Sequence, residues 1–270
     1  MTAGRVPRVL ALGPIAALMS FVRDWIARFI GVQGIDRSMA LGAQAYTALF
    51  PLLIVYGALL PSDRDFADAL IKRFQLTGAS ADTVRQAFAS SGTVQSSLTV
   101  LGVVLLLYSA LAFTRGLQRL YEGVFGLPTL GMRNTRWALL WLAVLCLGAV
   151  VQPFVLGGLD GLAATIGSLA LSGTLWLATP YLLLGRRVRW QRLAPVAVLS
   201  TIGMTGVGVW SVLWMPQAIA TSSEEFGVIG VGFALLSWLV AVAGVLVAAA
   251  AGGATIADRL DRRQPAPRST

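Results

Sequence analysis

FGVIGVGFALLSWLVAVAGVLVAAAAGGATIA, residues 226–257, runs 32 residues without a charged side chain. A helix rises about 1.5 Å per residue and the hydrocarbon core of a bilayer is about 30 Å thick, so roughly 20 apolar residues cross it. The stretch reads as a membrane span, and five more precede it. Residues 38–62, 86–114, 137–159, 161–185 and 193–223 carry no charge over 25, 29, 23, 25 and 31 residues, whereas the next such window, 9–22, has 14. Spans are predicted at about 39–60, 93–114, 137–159, 162–184, 193–215 and 226–252. Composition agrees, since 56% of the 270 residues are hydrophobic and only 12% charged, about half the charged share of a soluble domain. The fold class expected is all-α, a polytopic membrane protein with six transmembrane helices in residues 38–257.

Composition also removes classes of chemistry. Histidine is absent, which excludes a His-based triad, a His-ligated zinc and a His proton relay. Cys146 is the only cysteine and falls inside the third span, so neither a disulfide framework nor a CxxC metal site can form. Lys72 is the only lysine and no glycine-rich phosphate loop precedes it. No catalytic, metal or cofactor-binding residue is assigned, and no cofactor is expected.

The net charge of +9 could mark a polyanion partner, but its placement argues otherwise. Segments 1–37, 115–136, 186–192 and 258–270 hold 5, 4, 4 and 4 basic residues, which is 17 of the 21. Cytoplasmic flanks collect Arg and Lys because these resist translocation, so both termini are expected on the cytoplasmic side, with no nucleic-acid partner. The outer loop, 61–92, shares Arg64, Lys72, Arg73 and Arg85 with Asp63, Asp65, Asp68 and Asp82 and is locally neutral. In it Phe66, Leu70 and Phe74 share one side and Val84 and Phe88 another, which predicts two short amphipathic helices.

Segment 1–37 contains an apolar stripe, Ile15, Leu18, Met19, Val22, Ile26, Phe29 and Ile30, with Ser20, Asp24 and Arg28 facing away. It reads as an amphipathic helix in the inner interface or as one docked by its apolar face on the spans. A cleavable signal peptide fits less well, because Pro14 interrupts the run and no small-residue cleavage site follows. The tail 258–270, DRLDRRQPAPRST, is polar and proline-containing and is expected to be disordered.

Polar side chains and prolines inside spans need protein or water neighbours. Gln44, Tyr46 and Thr47 precede Pro51 in span one; Gln152 and Pro153 lie in span three; Thr179, Pro180 and Tyr181 lie in span four. Bent spans with polar residues line substrate paths in transporters, but more often such residues serve helix packing. Convergence of Gln44, Gln152 and Tyr181 on one cavity would favour the path. No acid lies inside a window, as Asp160, Glu224 and Glu225 sit at span ends, which disfavours proton coupling through a buried carboxylate.

LGAQAYTALFPLL at 41–53, FTRGLQRLYEGVFGLP at 113–128 and FGVIGVGFALLSWLV at 226–240 together resemble the YihY/virulence factor BrkB family, bacterial inner-membrane proteins of six spans. The matching residues in the second stretch are Arg115, Leu117, Gln118, Arg119, Phe125, Gly126 and Pro128; in the third they are Phe226, Gly227 and Trp238. The chain departs from the family at Ala43 and Gln44, where a Tyr pair is common, at Phe125, where Trp is frequent, and at alanines 248–251, near which relatives often carry an acid. The resemblance implies the bacterial cytoplasmic (inner) membrane. The family was formerly labelled ribonuclease BN, but RNA cleavage needs clustered metal ligands, and Asp258 with Asp261 reads as solvated pairing with arginines.

The 113–128 helix is expected along the inner interface. There Arg115, Gln118 and Arg119 meet an anionic headgroup or substrate, or serve as topogenic charge against anionic lipid. The functional expectation is an exporter, flippase or related conduit for an amphiphilic or anionic solute, with membrane lipids as partners and self-association allowed. The alternative is a non-transporting scaffold for envelope machinery.

Overall fold

The computed structural model describes residues 14–59, 64–88, 96–157 and 160–263. Every regular element among them is helical: α1 (Pro14–Gly31), α2 (Gly34–Leu59), α3 (Arg64–Phe74), α4 (Gly78–Phe88), α5 (Ser96–Val124), α6 (Thr135–Leu156), α7 (Gly161–Leu183) and α8 (Trp190–Arg263), with a 3-10 turn at Gly131–Asn134. Residues 1–13, 60–63, 89–95, 158–159 and 264–270, which include both ends of the expected outer loop, and the side chains of Phe66, Phe88 and Pro153 lie outside the described set.

α8 organises the rest. Its 74 residues would run about 110 Å if straight, but Gly227 has φ 58° and ψ −137°, a conformation open to glycine and closed to L side chains. The helix reverses there. Gly253 packs on the backbone of Val196, a Cβ at Gly203 would lie 2.7 Å from Val245, and Trp238 Nε1 donates to Ser211 Oγ at 2.7 Å. These partners recede from Gly227 in step on both sides, so the two arms are antiparallel and hold the windows 193–223 and 226–257. Glycine at 253 lets the backbones meet, which is how helices pack where lipid supplies no hydrophobic drive.

α2 lies in contact with the second arm, where a Cβ at Gly42 would come within 2.6 Å of Val240, and also packs on α5; α7 joins α8 to α6. Val100–Val124, Gly161–Leu183 and Trp190–Arg262 are long and apolar enough to cross a membrane, the last holding two of the six windows. Their outer faces are greasy: Val104, Leu107, Leu162, Ile166, Ile202, Val209, Ile229 and Phe233 are all exposed. Apolar surface on this scale suits lipid rather than water.

The two ends of the hairpin are finished differently. At the Gly227 end, α3, α4 and the connection between them press Ala67, Phe74, Leu76, Ala81 and Val84 onto Met215, Ile219, Val231, Ala234 and Leu235. At the other end α1, the last turns of α5, the 184–190 connection and the last turns of α8 meet through arginines. Arg28 bonds Asp258 and the carbonyl of Val124 at 3.1 Å, and Arg187 reaches Glu122 at 3.1 Å.

Three sequence expectations change here. The 113–128 segment is no separate interfacial helix: α5 continues unbroken to Val124, and Leu117, Leu120, Tyr121 and Val124 are buried in the main core. The charge-free window ends at Arg115 but the helix does not, because its arginines occupy one face and the opposite face stays apolar. Residues 258–263 of the expected disordered tail belong to α8. Asp258 and Asp261 are also more than solvated charges, since Arg192 sits 2.7 Å from each, and Arg192 and Asp258 are partly buried.

α1 resolves the two readings of its stripe. Ile15, Leu18, Met19, Val22, Ile26 and Ile30 are exposed, whereas Asp24 takes Arg259, Arg28 takes Asp258, and the Trp25 indole donates to the Ala248 carbonyl at 2.9 Å. The polar side faces protein and most of the apolar stripe faces outward, the reverse of a helix on a water-soluble globule. Phe29 alone of the stripe turns inward to the core.

Candidate basic pocket at the end of α5

Residues 115, 118, 119 and 122 follow the i, i+3, i+4, i+7 spacing and share one face of α5, opposite Phe113, Leu117, Leu120 and Val124. The helix stops at Val124 because Gly126 takes φ 62°. The Leu127 amide then bonds the Glu122 carbonyl at 2.8 Å and the Gly126 amide the Gly123 carbonyl at 3.2 Å, a Schellman cap that turns the chain back along the helix. That return brings the Leu130 amide to Glu122 Oε1 at 2.9 Å.

Glu122 is 1% exposed. Its Oε1 accepts three bonds: from Leu130, from Gln118 Nε2 at 2.9 Å and from Arg187 Nη2 at 3.1 Å. Arg187 is pinned in turn, donating to the carbonyls of Pro128 at 2.9 Å and Leu184 at 3.1 Å. Glu122 Oε2 is buried and receives no donor among the described residues. A buried carboxylate so held ties the α5 terminus, the 127–130 return and the connection before α8 into one unit.

Around it lies a cavity of about 310 Å³ lined by Arg115, Gln118, Arg119, Glu122, Thr129 and Gly131. Glu122 is balanced by Arg187, and no described carboxylate pairs with Arg115 or Arg119, so the pocket is left with two positive charges. Arg37 of α2 adds a third nearby, its Nη2 3.3 Å from where a Cβ on Gly123 would stand. Burial, and then the charge of Arg119, hold the Arg37 guanidinium below its ordinary pKa, the direction expected for cations gathered without counter-charge.

On the opposite face of α5 a second cavity, about 330 Å³, is lined mainly by Phe113, Leu117, Trp141, Leu145 and Trp176, with Gln152 and Thr179 among its few polar groups. Thr179 is satisfied, accepting from Trp141 Nε1 at 3.0 Å and donating to the Leu175 carbonyl at 2.8 Å.

The residues singled out in the sequence thus fall into separate places. Arg115, Gln118 and Arg119 share the basic pocket, and Gln152 and Thr179 share the apolar cavity. Gln44 of α2 turns toward α5, its Oε1 2.7 Å from where a Cβ on Gly116 would be and without a partner among the described residues. Tyr46 faces the second arm of α8 beside Gly232 and meets Phe50 edge-on with centroids 5.7 Å apart. Pro51 is buried within α2 and Pro153 lies in α6. Tyr181 accepts from Arg186 Nε at 2.9 Å, and that guanidinium also lies over the Trp137 ring at 5.7 Å. None of the cavities among the described residues is lined by Gln44, Gln152 and Tyr181 together.

Glu122 was missed. The signal was present in RGLQRLYEGVFG, since a carboxylate four residues after Gln118 and seven after Arg115 must share their face. No group of three metal-ligating side chains occurs among the described residues.

A helical bundle with lipid-compatible outer faces, closed by an arginine-rich end, defines a polytopic membrane protein. The family described as Virulence factor BrkB matches residues 25–270, and the chain belongs to it: a membrane virulence-factor family rather than a known enzyme family. No curated protein and no solved structure matches the chain.

Proposed function

We propose that the protein is an inner-membrane conduit, an exporter or flippase, for an amphiphilic or anionic solute, with six spans and both termini cytoplasmic. The observation that carries this reading is the pairing of unlike cavities on one helix. The polar pocket of Arg115, Gln118 and Arg119 and the largely apolar cavity against Phe113 and Leu117 occupy opposite faces of the same turns of α5. A charged head has a place on one side and a hydrocarbon tail on the other. The orientation is supported by the arginines that crowd the end opposite α3 and α4, as the positive-inside rule requires.

Flux of lipid and anionic probes through sealed vesicles tests the proposal. Arg119→Ala removes a charge-assisted contact and should slow transport about tenfold. Unchanged flux for every probe, together with a single stoichiometric partner on crosslinking, would favour the scaffold instead.

A further inference from the structure

We infer that the basic pocket takes a phosphate ester carrying free hydroxyls, a polyol- or sugar-type headgroup, with Glu122 Oε2 as the acceptor for a hydroxyl. The inference rests on the reading that Arg115 and Arg119 hold the anionic group, and it adds what lies beside that group. Two features of the pocket ask for different things. The guanidinium groups of Arg115 and Arg119, which no carboxylate among the described residues pairs, call for an anion, and phosphate oxygens match their fork of donors. Glu122 Oε2 is a buried acceptor without a donor, a state that costs free energy until it is filled.

The missing donor could be charged or neutral, and local charge decides between them. Glu122 is already compensated by Arg187, while Arg115 and Arg119 line the same cavity. An ammonium brought to Oε2 would meet a site that is positive overall, and like charges at short range repel. A hydroxyl donates to the carboxylate with no such cost, and a phosphate ester of a polyol supplies it within a few bonds of the anion. The volume of about 310 Å³ accommodates a headgroup of that size, and the Thr129 side chain at the exposed wall offers a further hydroxyl partner. A zwitterionic amine headgroup is the competing ligand that this balance rejects.

Binding to the purified full-length chain tests the inference, using native mass spectrometry with three lipids: phosphatidylglycerol, its headgroup di-O-methyl analogue and phosphatidylethanolamine. Methylation keeps the phosphate and the ether-type oxygens while removing both hydroxyl donors and adding two methyl groups, whose bulk the Glu122→Gln variant controls for. The wild type should bind phosphatidylglycerol about tenfold tighter than the methylated lipid, with phosphatidylethanolamine weaker than phosphatidylglycerol. In Glu122→Gln the amide oxygen is held by the three existing donors and the NH2 turns to the cavity, converting acceptor to donor. The methylated ether is then as good a ligand, and the ratio should fall toward one. Should that variant not fold, the wild-type ratio decides alone.

Equal binding of the two glycerol lipids by the wild type overturns the inference, as does a preference for phosphatidylethanolamine. Soluble glycerol 3-phosphate separates the sources: displacement of lipid at matching concentration supports the same chemistry with a free ester as ligand, and failure to displace supports a membrane-borne one. Arg119→Ala should weaken both glycerol lipids alike. If it weakens neither, the anion pocket itself is lost; if it weakens both while the wild type shows no hydroxyl preference, only the present inference fails.

Discussion

The two ends of the α8 hairpin perform the same mechanical task by different physics. At the Gly227 end, α3 and α4 are held by a small apolar core in which Phe74, 1% exposed, meets the Trp238 ring edge-on at 5.4 Å. At the opposite end α1 is held by ion pairs, Asp24 to Arg259 and Arg28 to Asp258, while its apolar stripe points away from the protein. Packing of the first kind is indifferent to salt and acid, whereas charge pairing at an interface responds to both. The difference teaches that the arginine-rich end is the adjustable one. It can loosen α1 without disturbing the bundle, and it lies beside the pocket that holds Arg115 and Arg119.

The largest effect is expected at the apolar end. Phe74→Ala removes a ring buried among Trp238 and its neighbours and should cost about 3–5 kcal/mol, read as a lowered melting temperature of the purified protein that added salt does not restore. Loss of α1 contacts in the same variant would mean that the two ends are coupled and that their contrast is only apparent.

Acid should act on the other end. Asp24 has its pKa depressed, first by the hydrogen bond from Arg259; burial opposes this, and the charges of Arg259 and Arg23 add smaller lowering effects. A depressed carboxylate contributes stability above its unfolded pKa of about 4, and that contribution disappears as pH falls through the lower, folded value. Hydrogen exchange across 14–31, corrected for intrinsic rates, should therefore accelerate below about pH 4 while exchange across Phe74 and Val84 stays flat. Uniform acceleration at both ends would erase the distinction between them.

Much of the helical architecture was legible in the sequence because a charge is costly in lipid, and charge-free windows therefore mark long apolar helices. The α1 stripe was legible too, but not which side of it docks. Docking is decided by Arg259 and Asp258, more than 200 positions away, and periodicity within a helix carries no news of so distant a partner. Gly227 was one glycine among 29, and composition does not tell a turn-forming glycine from a packing one such as Gly253. At the pocket, Arg115, Gln118 and Arg119 were found by their pattern. Glu122 escaped because its importance comes from burial beneath the 127–130 return and from Arg187, 65 residues on. Gln44, Gln152 and Tyr181 were chosen by polarity alone, and polarity inside a span does not say toward which neighbour a side chain turns.

The smallest effect is expected from Arg85, and it sharpens the comparison because the apolar end has charges of its own. Arg85 bridges α3 and α4 through Asp68 at 3.2 Å and also meets Asp82 at 3.1 Å, so this end too carries ion pairs between its elements. Exposure separates them: about half of the Arg85 side chain is solvent-accessible, whereas Arg28 and Asp258 are each about one quarter accessible. Water screens the exposed pair and side-chain entropy opposes it, so Arg85→Ala should cost no more than about 0.5 kcal/mol. The variant should melt within a degree or two of the wild type at both low and high salt. A loss approaching that of Phe74→Ala would show that charge, rather than the ring against Trp238, holds α3 and α4 in place, and acid would then be expected to loosen both ends of the hairpin together.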